Sequence, residues 1–271
     1  MIQRVIGLFG ALVGVMVAKR LVLFSLKTAT GDTTPLADTA AWLAWAGPGL
    51  NGGLTLLQHA AYFAFAIFLA RRLGGDALAL KPGVKAYLIP GVLGAITVGV
   101  LSGWIVTVLR RLLESYDSPA ASVGGQVRDT GASGWIFIVV AIAFTGPIVE
   151  ELLFRGYLWK VIEAERGQVV AFVGTSLLFM LHHWDPTVSI GLLPTALFLG
   201  WLRWMSGSIW PSMAGHLINN WLSLTIAIRA AGEPAGPPAE IPLYLALNAF
   251  ALTCSVCLAT WAILRFRAEE R

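Results

Sequence analysis

The chain has 271 residues, of which 57% are hydrophobic and 13% charged, with a mean hydropathy of +0.74. Soluble domains carry roughly 25% charged residues, so this composition excludes a soluble globular protein and points to a membrane-embedded one. The formal charge of +4 does not mark a nucleic-acid binder, because the 19 Lys and Arg sit at the ends of apolar runs and form no single stripe.

Apolar runs between charged or Pro/Gly-rich breaks predict an all-α fold, a polytopic transmembrane bundle of about eight helices. The first run, near 2–26, follows Arg4 as a signal peptide would. Lys19 and Arg20 stand where a small-x-small cleavage site would be needed, so the run is expected to remain as a first span. Those two cations are expected toward its outer end, snorkelling to the interface. The stretch AAWLAWAGPGLNGG, residues 40–53, is broken by Gly and Pro and is expected to be an interfacial or re-entrant loop. A second helix follows near 54–70, in which a lone His59 reads as structural, and a third near 86–109.

The polar stretches 112–133 and 230–240 read as flexible linkers. Further helices are predicted near 134–159, 168–183, 188–205, 209–229 and 242–264. The last holds Cys254 and Cys257, the only cysteines, and one CxxC offers half of the four ligands a structural zinc needs. They read as small apolar residues of a span. Neither an internal repeat nor a soluble domain is visible, so residues 1–271 form one membrane-embedded domain. Eleven Trp, several near run ends, read as interfacial anchors. Arg71, Arg72, Lys81 and Lys85 crowd one loop and Arg265, Arg267 and Arg271 load the C-terminus, which predicts both termini in the cytoplasm; Arg110 and Arg111 run against that bias.

A charge at mid-bilayer costs about 2.5–3.5 kcal/mol on insertion scales, so ionisable groups inside these runs need a reason. Three clusters stand out. In VEELLFRGYLW, Glu151 and Arg155 are four apart and can pair on one helix face, while Glu150 is turned about 100° away and stays free. In LLFMLHHWDP, Phe179 and His183 share a face and His182 points elsewhere. In WPSMAGHLINNWL, His216 and Asn220 share a face, and Ser212, Ala214 and Gly215 allow close helix approach. Each cluster alone could be an internal ion pair or interhelical glue. Glu, His, His and Asn on separate helices are also a set that can activate water and hold an oxyanion.

These motifs, EExxxR, FxxxH and HxxxN in that order on successive apolar segments, resemble those of the CPBP family, also called the Abi or type II CAAX prenyl endopeptidase family, of intramembrane proteases. SGSIWPSMAGHLINNWL is similar to that family's Trp-Pro approach to its third motif. The resemblance covers about 134–229 and implies a catalytic region there, within the membrane. It implies that Glu150 and His183 activate the attacking water, that His216 and Asn220 polarise the scissile carbonyl, and that Glu151 and Arg155 support the first motif. The His182–His183 doublet leaves open which imidazole faces the pocket, although the spacing from Phe179 favours His183.

Glu150, His183 and His216 would supply three zinc ligands with a position left for water, yet a glutamate base with a histidine needs no metal, and the resemblance allows both. The implied partners are the lipid bilayer and a membrane-associated protein or peptide, prenylated if the processing is of CAAX type. The expected location is a prokaryotic inner membrane. A non-catalytic scaffold that retains a partner is the alternative reading, and an ion-coupled transporter a third.

Overall fold

The computed structural model describes residues 2–31, 39–81, 83, 85–113, 132–183, 185–230 and 243–269, and most of the two stretches read as linkers lies outside them. Among the described residues there are helices and no strands. In chain order they are α1 (Ile2–Ala29), α2 (Thr39–Leu73), α3 (Leu88–Leu112), α4 (Ala132–Val139), α5 (Gly146–Glu151), α6 (Trp159–Leu181), α7 (Pro186–Gly191), α8 (Leu193–Ser206), α9 (Trp210–Ala230) and α10 (Leu243–Glu269). Two π-helical segments, Val140–Thr145 and Leu152–Leu158, join α4, α5 and α6 without a break. Among the described residues, Ile2–Ala29, Gly49–Leu73, Leu88–Leu112 and Ile136–Leu181 are long and apolar enough to cross a membrane. The protein is an integral membrane helix bundle.

The 46-residue run Ile136–Leu181 is too long for one span and folds back on itself at Gly167, whose φ of 82° lies in the left-handed region open to glycine. Phe154 and Phe179 are 25 residues apart and would be separated by about 37 Å on a straight helix, yet their rings meet at 5.5 Å. The two arms of this hairpin carry the first and second motifs and bury their facing sides in one core with Leu8, Leu12, Tyr62, Ile209 and Met213. Helix α9, carrying the third motif, reaches them by packing tightly on α3. A Cβ on Gly215 would come within 2.7 Å of the Gly91 carbonyl, so the small residues expected to permit close approach do so.

Two expectations are corrected. Residues 40–53 are no loop: helix runs on both sides of a single break at Gly47, and Gly52 lets α2 lie against Phe137. Tertiary packing overrides the local signal of its four glycines and one proline. Lys19, expected to snorkel outward, turns inward, and its Nζ donates to Thr55 Oγ1 at 2.5 Å on α2. Cys254 and Cys257 are free; Cys257 packs against Trp201 and Met205 in a small apolar cluster.

Candidate active site

The first motif sits where the helix is widened. A π turn encloses one more residue per hydrogen-bonded ring than an α turn, so it rotates the side chains that follow and leaves carbonyls uncovered. Two such segments flank α5, which carries Glu150 and Glu151. The uncovered carbonyls are used: Asn220 Nδ2 donates to Ile142 O at 2.9 Å, and the Thr145 hydroxyl lies 3.3 Å from both Val140 O and Ala141 O. Asn220 keeps its second amide hydrogen.

The ion pair expected between Glu151 and Arg155 is formed, Nη1 to Oε1 at 3.1 Å, with both side chains 0% exposed. Arg155 also donates from Nη2 to Ala196 O and stacks its guanidinium 4.2 Å from the centre of the Phe179 ring. A fully buried pair of this kind leans on further hydrogen bonds; Glu151 Oε2 and Arg155 Nε have none among the described residues, and the support comes through the other atoms. Here Glu151 Oε1 also accepts from His216 Nδ1 at 3.0 Å. That bond holds the hydrogen on Nδ1 and turns Nε2 toward Glu150, whose Oε2 lies 3.6 Å away. His216 is thus held between two adjacent carboxylates that a helix would otherwise aim apart. Glu150 is 18% exposed, so its free oxygen can be reached.

Phe179 is the hub of the second motif, which explains why Phe stands one turn before His183. Its ring touches Arg155, Phe154, His183 at 5.1 Å and His216 at 5.4 Å, while its carbonyl accepts from His183 Nδ1 at 3.1 Å. His183 Nε2 is left as the outward nitrogen. His182 closes α6, its N–H still bonding Leu178 O at 3.0 Å, while His183 N–H bonds Met180 O at 3.3 Å in the turn that follows, and the two imidazoles face different neighbours. The His182 ring packs against Tyr62, Phe154 and His183 and lies within electrostatic range of Glu150.

Six sequence-selected residues, Glu150, Glu151, Arg155, His183, His216 and Asn220, therefore converge on one region. Among the described residues no hydrogen bond joins His183 to Glu150 or Asn220 to His216 directly. The zinc set of Glu150, His183 and His216 is not assembled either: no three His, Cys, Asp or Glu among the described residues gather within reach of one ion. These donors do not fit a metal as they stand, and no step below passes through one.

Other members of the site were not selected from the sequence. His59 on α2, read as structural, bonds Thr145 through Nδ1 at 2.7 Å and, like His182 and His216, lies within electrostatic range of Glu150. A signal was present: Asn51, Thr55 and His59 recur every four residues on one face of α2. Arg203, inside the apolar run LFLGWLRWMS, donates from Nε to Arg155 O at 3.0 Å and covers Trp159. A cation in a span is itself the sequence signal there.

No curated protein and no solved structure matches the chain. Residues 132–222 match the family model described as type II CAAX prenyl endopeptidase Rce1-like, and all three motifs lie inside that match. Over residues 132–222 the chain is thus similar to the Rce1-like type II CAAX prenyl endopeptidases.

Proposed function

We propose that the protein is an intramembrane endopeptidase that hydrolyses a peptide bond of a membrane-associated, prenylated protein or peptide. The observation that carries this is the array Arg155–Glu151–His216–Glu150: a buried ion pair fixes an imidazole, and the imidazole faces a second, reachable carboxylate. A carboxylate and a histidine held together in water-poor surroundings are the elements of general acid–base hydrolysis.

In this reading Glu150 Oε2 takes a proton from a water oriented by His183 Nε2, and the new hydroxide forms a C–O bond with the substrate carbonyl carbon. The carbonyl electrons move onto oxygen, where the second hydrogen of Asn220 Nδ2 donates to the oxyanion, while His216 Nε2 shares with Glu150 Oε2 the proton drawn from the water and so turns positive charge toward the same oxygen. When the C–N bond breaks, the Glu150 carboxyl returns its proton to the departing nitrogen, leaving an acid and an amine. Glu151 and Arg155 touch no reacting atom and serve as positioning residues for His216. The Lys/Arg bias supports both termini on the cytoplasmic side.

Glu150→Gln is expected to cut cleavage of a prenylated peptide in reconstituted membranes by about 10²–10⁴-fold, the usual share of a general base. Insertion and thermal stability should be unchanged. Activity retained within tenfold would remove Glu150 from its role. A variant that keeps a cellular phenotype while losing cleavage would favour the scaffold reading. Since the donors do not assemble around an ion, a strong zinc chelator should leave the rate within about twofold; loss restored by added zinc would show that His183 closes onto Glu150 and His216.

A further inference from the structure

The hydrolysis proposed above leaves a proton behind. Water gives its oxygen and one hydrogen to the carbonyl carbon and its other hydrogen, through Glu150, to the departing nitrogen. The new acid is set free beside the Glu150 carboxylate, and two carboxyl groups at close quarters keep one proton between them. Glu150 is a base again only when that proton has reached bulk water.

His59 is placed to carry it. The imidazole comes from α2, outside the matched residues 132–222, and lies edge-on to the turn of Gly146: a Cβ there would stand 3.5 Å from its Cε1 and 3.9 Å from its Nε2. Gly146 and Glu150 are four apart in α5, on one face, where Cβ positions are about 5–6 Å apart. Helical side chains lean over the turn before their own, so Glu150 extends back toward the ring. The two groups are in electrostatic range, no hydrogen bond joins them among the described residues, and both are partly exposed, which leaves the gap to water.

The hydrogen-bond pattern fixes the tautomer. Thr145 Oγ1 touches three atoms, His59 Nδ1 at 2.7 Å and Val140 O and Ala141 O at 3.3 Å each, and it has one hydrogen to give. Were that hydrogen given to His59, the oxygen would face two carbonyl oxygens with nothing between them. Given to the carbonyls, it leaves an oxygen that accepts from Nδ1–H. Nε2, the nitrogen beside Gly146, is then the bare acceptor.

We infer that His59 relays the proton of Glu150 to bulk water, an inference that rests on the hydrolase reading. A bridging water gives a hydrogen to Nε2 as it takes one from the Glu150 carboxyl, which restores the carboxylate and leaves an imidazolium. The imidazolium then loses its Nε2 proton to outer water, so one proton enters, one leaves, and no other reactant is needed. The charged and titratable groups facing the ring are Glu150 on α5, Lys19 on α1 and His182 at the end of α6. Glu150 draws the proton to the ring, while Lys19 and a charged His182 push it onward. Thr55 and Asn51, partly exposed and at four-residue steps along α2, continue the polar face for about 12 Å toward the start of the helix.

The test follows cleavage of a prenylated fluorogenic peptide by full-length protein in nanodiscs, through the first turnover and in the steady state. His59→Gln and His59→Ala are compared with wild type. Gln keeps an amide donor for Thr145 yet carries no proton at neutral pH. In both variants the first product should form within about twofold of the wild-type rate and then slow, a burst followed by a steady-state kcat down about tenfold, with KM unmoved. Imidazole added to His59→Ala should restore most of the lost rate and leave the wild type unaltered. Equal losses in first and later turnovers, an unchanged kcat in His59→Gln, or no response to imidazole would overturn the relay and leave His59 a tie between α2 and the π segment. A wild type that cuts nothing in either phase would overturn the hydrolase reading, and the relay with it.

Discussion

The motif hairpin and the N-terminal helices are similarly apolar but do different things with their surface. In Ile136–Leu181, 56% of the most apolar window is buried, against 11% in Ile2–Ala29 and in Gly49–Leu73 and 22% in Leu88–Leu112. The hairpin spends its apolar residues on other protein, and the outer helices leave theirs to lipid. The buried region can therefore hold a fully enclosed Glu151–Arg155 pair, whereas α1 and α2 contribute single polar contacts, Lys19 to Thr55 and His59 to Thr145. Hydropathy alone cannot separate the two regions, because lipid tails and protein interiors are equally apolar environments.

The largest difference should come from the buried charges. Arg155→Met leaves Glu151 charged and enclosed with only the His216 imidazole bonded to it, a change worth about 3–5 kcal/mol of stability. Arg72, on α2 over the Phe68 ring at 5.0 Å, should lose under about 1 kcal/mol on replacement by Ala. Thermal unfolding in one detergent measures both. A double Glu151→Gln, Arg155→Met variant should recover part of the loss yet stay inactive, because His216 then lacks the carboxylate that fixes its Nδ1 hydrogen. Equal destabilisation by the Arg72 and Arg155 variants would erase the contrast.

Asn220→Ala should lower kcat by about 10²-fold, the order found for one oxyanion donor, with little change in KM. It also strips Ile142 O of its partner in the π segment, at about 1–3 kcal/mol. Steady-state kinetics on folded protein separates the two effects. A KM change alone would assign Asn220 to substrate binding. Gly167→Ala should cost about 1–3 kcal/mol, since nothing crowds its Cβ and the penalty is that of a positive φ with an extended ψ, a conformation kept for glycine.

The spans and the motif pairing were legible from the sequence because each rests on spacing: apolar length for the spans, and a four-residue separation for Glu151–Arg155, Phe179–His183 and His216–Asn220. Features that depend on geometry between elements were not. The π segments beside α5 have no compositional mark, so the rotation that brings both glutamates to His216 is invisible before folding. Spacing leaves the choice between His182 and His183 open, because the place of the His182 ring on Tyr62 and Phe154 depends on how the helices meet. The inward turn of Lys19 and the partnership of His59 with Thr145 required knowing which helix lies opposite. The histidine was still recoverable from the Asn51–Thr55–His59 stripe.

A much smaller effect than that of Arg155→Met comes from a carboxylate set outside the spans. Asp185 caps α7, its Oδ1 accepting from Thr187 N–H at 2.9 Å, Thr187 Oγ1 at 2.7 Å and Val188 N–H at 3.1 Å. Burial pushes its pKa up, but the Thr187 hydroxyl, the two amides and Arg110 outweigh that and hold it below the ordinary aspartate value. A carboxyl whose folded value is depressed stabilises the fold above its unfolded value, near 3.9, and loses that contribution as pH falls through the folded value. Asp185→Ala should therefore cost about 1 kcal/mol at neutral pH, as for other helix caps, and the gap to wild type should close in acid. Because water competes for Asp185 and not for Glu151, three hydrogen bonds at the rim should be worth less than one ion pair in the core. An Asp185→Ala loss as large as that of Arg155→Met, or one that does not shrink below about pH 4, would mean that the turn carrying His182 and His183 depends on this cap more than its exposure allows.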